Sequence, residues 1–193
     1  GRIRQTLRDA NLPARIELMG WSVGGTAAVE VAALAEGAGI AVERTVLLDA
    51  YPAEQWQGVP APDEQESFRA LLRMGGLPEA APGEVLDLPG TLKRLRQAGS
   101  AMGHLPEDKL GVCLESMRAS AALMRGARQL DFSGAVTMFA VPHKDQPYLD
   151  AHGWESHAGA LRVVWVEGTH PDLVNPAYIP QIVAEAFGSG PAE

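Results

Sequence analysis

A single cysteine, Cys113, stands among the 193 residues of the chain. One thiol cannot close an internal disulfide, so packing must hold the fold, and a reducing cytoplasm is the expected compartment. Cys113 falls at an apolar helical spacing, which reads as buried filler rather than a reactive thiol. Basic residues are also scarce: 16 Lys and Arg against 24 Asp and Glu give a formal charge of −8. Nucleic acid and anionic membrane surfaces both require a basic face, so neither is an expected partner. Aromatic residues make up 6% of the chain, with no basic–aromatic interleaving. No apolar run approaches the roughly 18 residues that span a bilayer, and no signal peptide opens the sequence.

What is present is an ordinary globular composition, 46% hydrophobic and 21% charged, long enough for one domain with a real core. The chain opens at "GRIRQTLRDA", where Ile3 and Leu7 already stand four apart in an amphipathic helical pattern. A start inside a pattern is expected of a piece of something longer. Four short apolar runs follow, at Ile16–Met19, Thr45–Leu48, Val136–Val141 and Leu161–Val166. They lack polar alternation, which predicts buried parallel strands covered on both faces. Helical stretches separate them, notably Ala27–Leu34, closing at Gly37 and Gly39, and a final helix over Tyr178–Phe187. On that last helix, Ile179, Ile182, Val183, Ala186 and Phe187 form the expected buried stripe. The predicted class is α/β, a parallel sheet with flanking helices in a single domain over residues 1–193.

Residues 53–130 break the alternation. They open with the Pro- and acid-rich "GVPAPDEQES" and contain no strand pattern. Phe68, Leu71 and Leu72 mark one helix, and Leu92 and Leu95 a second. A third starts near Pro106 and carries Leu110, Leu114, Met117, Ala121 and Met124 at steps of three and four. This is more than a crossover needs, and it reads as a mobile helical lid; a crossover that is merely oversized is the alternative.

Between the first strand and its helix, Gly20-Trp21-Ser22-Val23-Gly24 fits G-x-S-x-G. The bare pattern is cheap, but strand before and helix after make it specific for a nucleophile elbow. Glycines 20 and 24 are expected where flanking side chains would collide, and Gly25 where the helix packs on the sheet. Ser22 then sits at a helix N-terminus, where the N–H of Val23 can donate to a developing oxyanion. Two phosphate-binding readings fall short. A P-loop lacks its lysine before Thr26, and a dinucleotide fingerprint would need glycine where Ser22 stands. A serine that only caps its helix is the remaining alternative.

A hydroxyl nucleophile needs a base, and histidine is the usual one. His170, in "VEGTHPDLVNP" beyond the fourth strand, should emerge on the same sheet edge as Ser22, and His143 is its main rival. His104 falls in the lid. His152 and His157 are five apart, about 140° around a helix, and make poor bases and a poor metal pair. Two aspartates follow strands, Asp49 in "TVLLDAYP" and Asp145 in "FAVPHKD". Either could orient the imidazole, whereas Asp172 is too close to His170 to be its partner. The order Ser22, Asp49, His170 is the one α/β-hydrolases use.

"GWSVGG", "LLDAYP" at that spacing, a long helical insertion and "GTHPDLVNP" together resemble the thioesterase domains that end nonribosomal peptide synthetases. The resemblance covers the whole chain, loosely through the insertion, and selects Asp49 over Asp145. It implies an α/β-hydrolase fold and a seryl acyl-enzyme formed from a peptidyl thioester. The thioester would arrive on the phosphopantetheine arm of a carrier protein domain, directly upstream in the same polypeptide, with no intrinsic cofactor and no metal. Release would be hydrolysis or macrocyclisation, as in antibiotic biosynthesis. Such domains carry further strands before the elbow, and one of their loops gives the second oxyanion N–H. That N-terminal part is absent from this reading of the fold, so the isolated piece is expected to be slow or inactive, by about 10²–10³-fold for one missing donor. A free-standing serine esterase or editing thioesterase, and a non-catalytic interaction module, are the alternatives.

Overall fold

The computed structural model describes residues 5–6, 9–10, 14–78, 80–143 and 146–188. The helical pattern at Ile3 and Leu7 and the candidate acid Asp145 lie outside them. Strands β1 (Arg15–Trp21), β2 (Ala41–Leu48), β3 (Phe132–Ala140) and β4 (Ala158–Trp165) form one parallel sheet in the order β1-β2-β3-β4. The helices are α1 (Val23–Gly37), α2 (Glu64–Met74), α3 (Leu88–Gln97), α4 (Glu107–Gly126) and α5 (Ile179–Phe187). By compactness the chain forms two units, Gly1–Trp56 with Ala127–Glu193, and Gln57–Gly126.

The first unit is built on the sheet. Alternate residues of the inner strands point to opposite faces, as the pleat requires. Leu47, Val136, Met138 and Ala140 pack with Ala28, Val29 and Ala32 of α1 and with the fully buried Trp154. On the other face Val46, Leu48, Phe139 and Val141 pack with Ile182 of α5 and with Leu173, which precedes that helix. Burying each such large side chain contributes about 1.5–3 kcal/mol. The expectation of strands buried on both faces holds for the apolar ends of β2 and β3 and fails for the outer pair. In β1 Leu18 packs inward while Met19 is exposed, and in β4 Trp165 is exposed, because each has a sheet neighbour on one side only among the described residues. The α5 stripe is likewise narrower than predicted: Ile182 is buried and Ala186 packs beside it, while Ile179, Val183 and Phe187 are exposed.

The second unit has its own core, in which Phe68, Leu71, Leu72, Leu86, Leu92, Leu95, Leu110 and Leu114 meet. Its helices α2 and α3 start where side chains satisfy free N–H groups. Asp63 accepts from Glu66 N–H and Asp87 from Gly90 N–H, each at 2.7 Å, and Pro89 is the second residue after its cap Asp87. Arg125, near the end of α4, donates to the carbonyls of Val59 and Pro60 and so fastens the unit's last turn to its first residues. Cys113 is half-buried rather than buried, on a helix whose buried positions are Leu110, Leu114 and Met124.

The glycines of the β1–α1 turn divide sharply. A Cβ on Gly20 would lie 2.2 Å from the Gly24 carbonyl oxygen, and one on Gly25 would lie 2.4 Å from the Ala50 Cβ. A Cβ on Gly24 would meet nothing within 4 Å, so the sequence-based reason for glycine there does not hold. Gly20→Ala is therefore expected to cost about 3 kcal/mol or more, because the obstacle is backbone that cannot give way. Gly24→Ala should change stability by less than about 1 kcal/mol. Urea unfolding of both variants checks this, and equal losses would show that crowding is not what fixes Gly20.

Candidate active site

All four strands deliver a chemically able residue to their carboxyl ends, where ligands bind in open parallel sheets. Ser22 follows β1 and Asp49 follows β2. His143 comes three residues after β3, and His170 five residues after β4. The ladder runs on past the strands to hold these ends: Ser22 N–H donates to Leu48 C=O at 3.0 Å and Asp49 N–H to Phe139 C=O at 2.7 Å.

Ser22 has φ 55° and ψ −132°, outside the regions that non-glycine residues favour, and its side chain makes no capping hydrogen bond to α1. A strained backbone held in place by a tight turn, with the hydroxyl left free of the helix, is not what a capping serine looks like. The side chain is half-buried, and Val23, the first residue of α1, has no partner within the helix for its N–H.

Asp49 is the second residue with a positive φ, 47°, and its carboxylate is fully buried. It collects four donors. His170 Nδ1 lies 2.6 Å from Oδ2 and His143 Nε2 lies 2.8 Å from the same oxygen. Oδ1 accepts from the Tyr51 hydroxyl at 2.8 Å and the Val141 N–H at 3.3 Å. Burial works against the charge, yet the hydrogen bonds from His143, His170 and Tyr51 outweigh it and hold Asp49 well below the usual carboxylate range. Burial, together with the Asp49 charge and hydrogen bond, pushes the Tyr51 hydroxyl above its usual range, so it stays a donor. The loop after Asp49 is pinned as well, with Trp154 Nε1–H on Ala50 C=O at 2.7 Å and the Thr26 hydroxyl on Tyr51 C=O at 3.0 Å. Thr26, weighed above as part of a phosphate loop, fixes this turn instead.

The His170 loop is held from two sides. Thr169 donates its N–H and hydroxyl to Asp172 Oδ2 at 2.7 and 2.6 Å, which caps the short 3-10 helix His170–Val174. The indole of Trp21 donates to His170 C=O at 3.0 Å and stacks on its ring, centroids 4.8 Å apart at 28°. Trp21 thus ties the Ser22 turn to His170. The structure unites Asp49 with both His170 and His143, two histidines that the sequence offered as rivals. Tyr51 and Trp21 escaped the sequence reading, although each lies inside a quoted motif. His152 pairs with Glu155, His157 with Asp131 and Glu54, and no metal-binding cluster occurs among the described residues.

The family model described as "Thioesterase domain" matches residues 3–188. A dimodular nonribosomal peptide synthase of Bacillus subtilis (strain 168) is 29% identical over 170 residues, which cover 86% of this chain and 7% of that protein. The NocB thioesterase domain, solved as a covalent complex with a fluorophosphonate nocardicin G analog, aligns over 97% of this chain and 72% of its own, at 20% identity and TM-score 0.63. The surfactin-cyclising thioesterase domain SrfTE aligns over 98% and 74%, at 18% identity and TM-score 0.63. At such identities these two show the shared fold.

Proposed function

The chain belongs to the thioesterase domain family, and from that premise we propose that Ser22, His170 and Asp49 release an acyl chain from a thioester as nucleophile, base and orienting acid. The observation that carries the reading is the 2.6 Å contact between His170 Nδ1 and the buried Asp49 carboxylate, which stand past the carboxyl ends of β4 and β2, the same end of the sheet as the Ser22 elbow. Ser22 Oγ adds to the thioester carbonyl carbon as its proton passes to His170 Nε2, while the Nδ1–H stays on Asp49. The Val23 N–H receives the oxyanion. Collapse breaks the C–S bond, and His170 returns the proton to the departing thiolate, leaving a seryl ester. Water, or an amine or hydroxyl of the same acyl chain, then gives a proton to His170 and attacks the ester; as the C–O bond to Ser22 breaks, His170 returns that proton to Oγ, and an acid or a ring leaves.

The proposed substrate is a peptidyl chain on the phosphopantetheine arm of a carrier domain, a reading supported by the similarity to a nonribosomal peptide synthase. The helical unit Gln57–Gly126, with a core of its own, is proposed as the lid that screens the acyl-enzyme. In hydrogen exchange its amides should open faster than those of β2 and β3, and protection equal to the strands would refute a mobile lid. Comparing kcat/KM for a carrier-bound peptidyl thioester, the matching N-acetylcysteamine thioester and the matching oxygen ester tests the substrate class. The carrier-bound thioester should be preferred. Preference for free oxygen esters would favour a free-standing esterase instead, and absence of any acylation would favour a non-catalytic module.

A further inference from the structure

We propose that His143 is a positioning residue of this site, a second imidazole that shares Asp49 Oδ2 with His170 and so sets how firmly the acid holds the base. The inference rests on the reading of His170 as the base. Orienting a catalytic imidazole takes one carboxylate oxygen and one N–H. Here Oδ2 accepts from two imidazoles and Oδ1 from Tyr51 and Val141, which fills the carboxylate's acceptor sites. Each added donor draws on the same negative charge, so the His143 bond weakens the pull of Asp49 on the His170 Nδ1–H. The two rings stand 6.5 Å apart, tilted by 52°, and His143 meets the Tyr51 ring edge-on at 5.6 Å. That seat keeps His143 mostly enclosed, so its bond to Asp49 persists rather than exchanging with water.

The direction of the effect does not depend on whether His143 is charged. Removing a neutral donor leaves Asp49 more charge to offer His170, and removing a cation also relieves repulsion of the His170 imidazolium. Both raise the pH at which His170 titrates. Among the described residues, the other groups near the pair leave this sign unchanged. Tyr51 stays protonated on Asp49, Asp150 acts on Tyr51, Asp172 is engaged by Thr169, and Trp21 covers the His170 ring without charge.

The test is an NMR titration of the His170 ring in the full chain, for wild type, His143→Phe and His143→Gln. In His143→Phe, which keeps ring bulk and loses the donor, the His170 midpoint should lie above that of wild type. In His143→Gln, whose amide restores a donor, it should return toward wild type, and the acid limb of kcat/KM should move in parallel. Should His143→Phe fail to fold, His143→Asn, whose shorter amide cannot reach, replaces it with the same expected rise. A His170 midpoint unchanged in the donorless variant would overturn the proposal, since a purely structural role lowers stability without moving that titration. Fluorophosphonate labelling of the same samples separates the premise. A shifted midpoint with no labelling of Ser22 would retire the serine mechanism and leave the coupling of the histidines standing.

Discussion

Ser22→Ala should lower thioester turnover by about 10⁴–10⁶-fold, the scale on which removal of a nucleophile acts, while the protein stays folded. The second half of that expectation comes from the structure. The Ser22 side chain makes no capping bond, and its backbone holds to Leu48 through the N–H that alanine keeps. Unfolding free energy should therefore change by less than about 0.5–1 kcal/mol. Steady-state kinetics and urea melts on one preparation separate loss of chemistry from loss of fold. A rate within tenfold of the parent would place the nucleophile elsewhere.

Asp49→Asn should cost up to about 10⁴-fold in rate, because an amide cannot hold the imidazole in its working tautomer. It should also destabilise the protein. Four donors converge on the carboxylate, and an NH₂ in place of either oxygen faces two of them without accepting. The acid side of the stability curve gives a second readout. Hydrogen bonds in the folded state lower the Asp49 pKa, so its contribution is fully present above the ordinary aspartate range near 3.9 and is lost as pH falls through the lower folded value. Asp49→Asn should flatten that part of the curve. Asp145→Asn, at the position the sequence left as a rival, should change the rate little. The reverse pattern would move the acid to the later strand.

The fold class and the proposed site residues were legible because they rest on local rules. Short apolar runs, a serine between glycines and polar residues just past strand ends are all written within a few positions of one another. What escaped the sequence depends on partners distant along the chain. Nothing near His143 indicates that its Nε2 ends on an aspartate 94 residues earlier, and competition between two histidines seemed to demand a choice. The stacking of Trp21 on His170 spans 149 residues. Gly24 was over-read, since a motif position does not say whether its Cβ would meet anything, whereas Gly20 and Gly25 are truly crowded. The outer strands and α5 were read as more buried than they are, because an apolar run reports hydrophobicity and not which side of it is covered.

The most direct test of the account is mass spectrometry of the protein after reaction with a fluorophosphonate or a slowly released acyl thioester. Tryptic peptide 16–44 contains a single serine, Ser22, and one other hydroxyl, on Thr26. The account predicts one adduct per chain, on that peptide and at Ser22, and none in Ser22→Ala. An adduct on any other residue, or a folded protein that forms none, would contradict it.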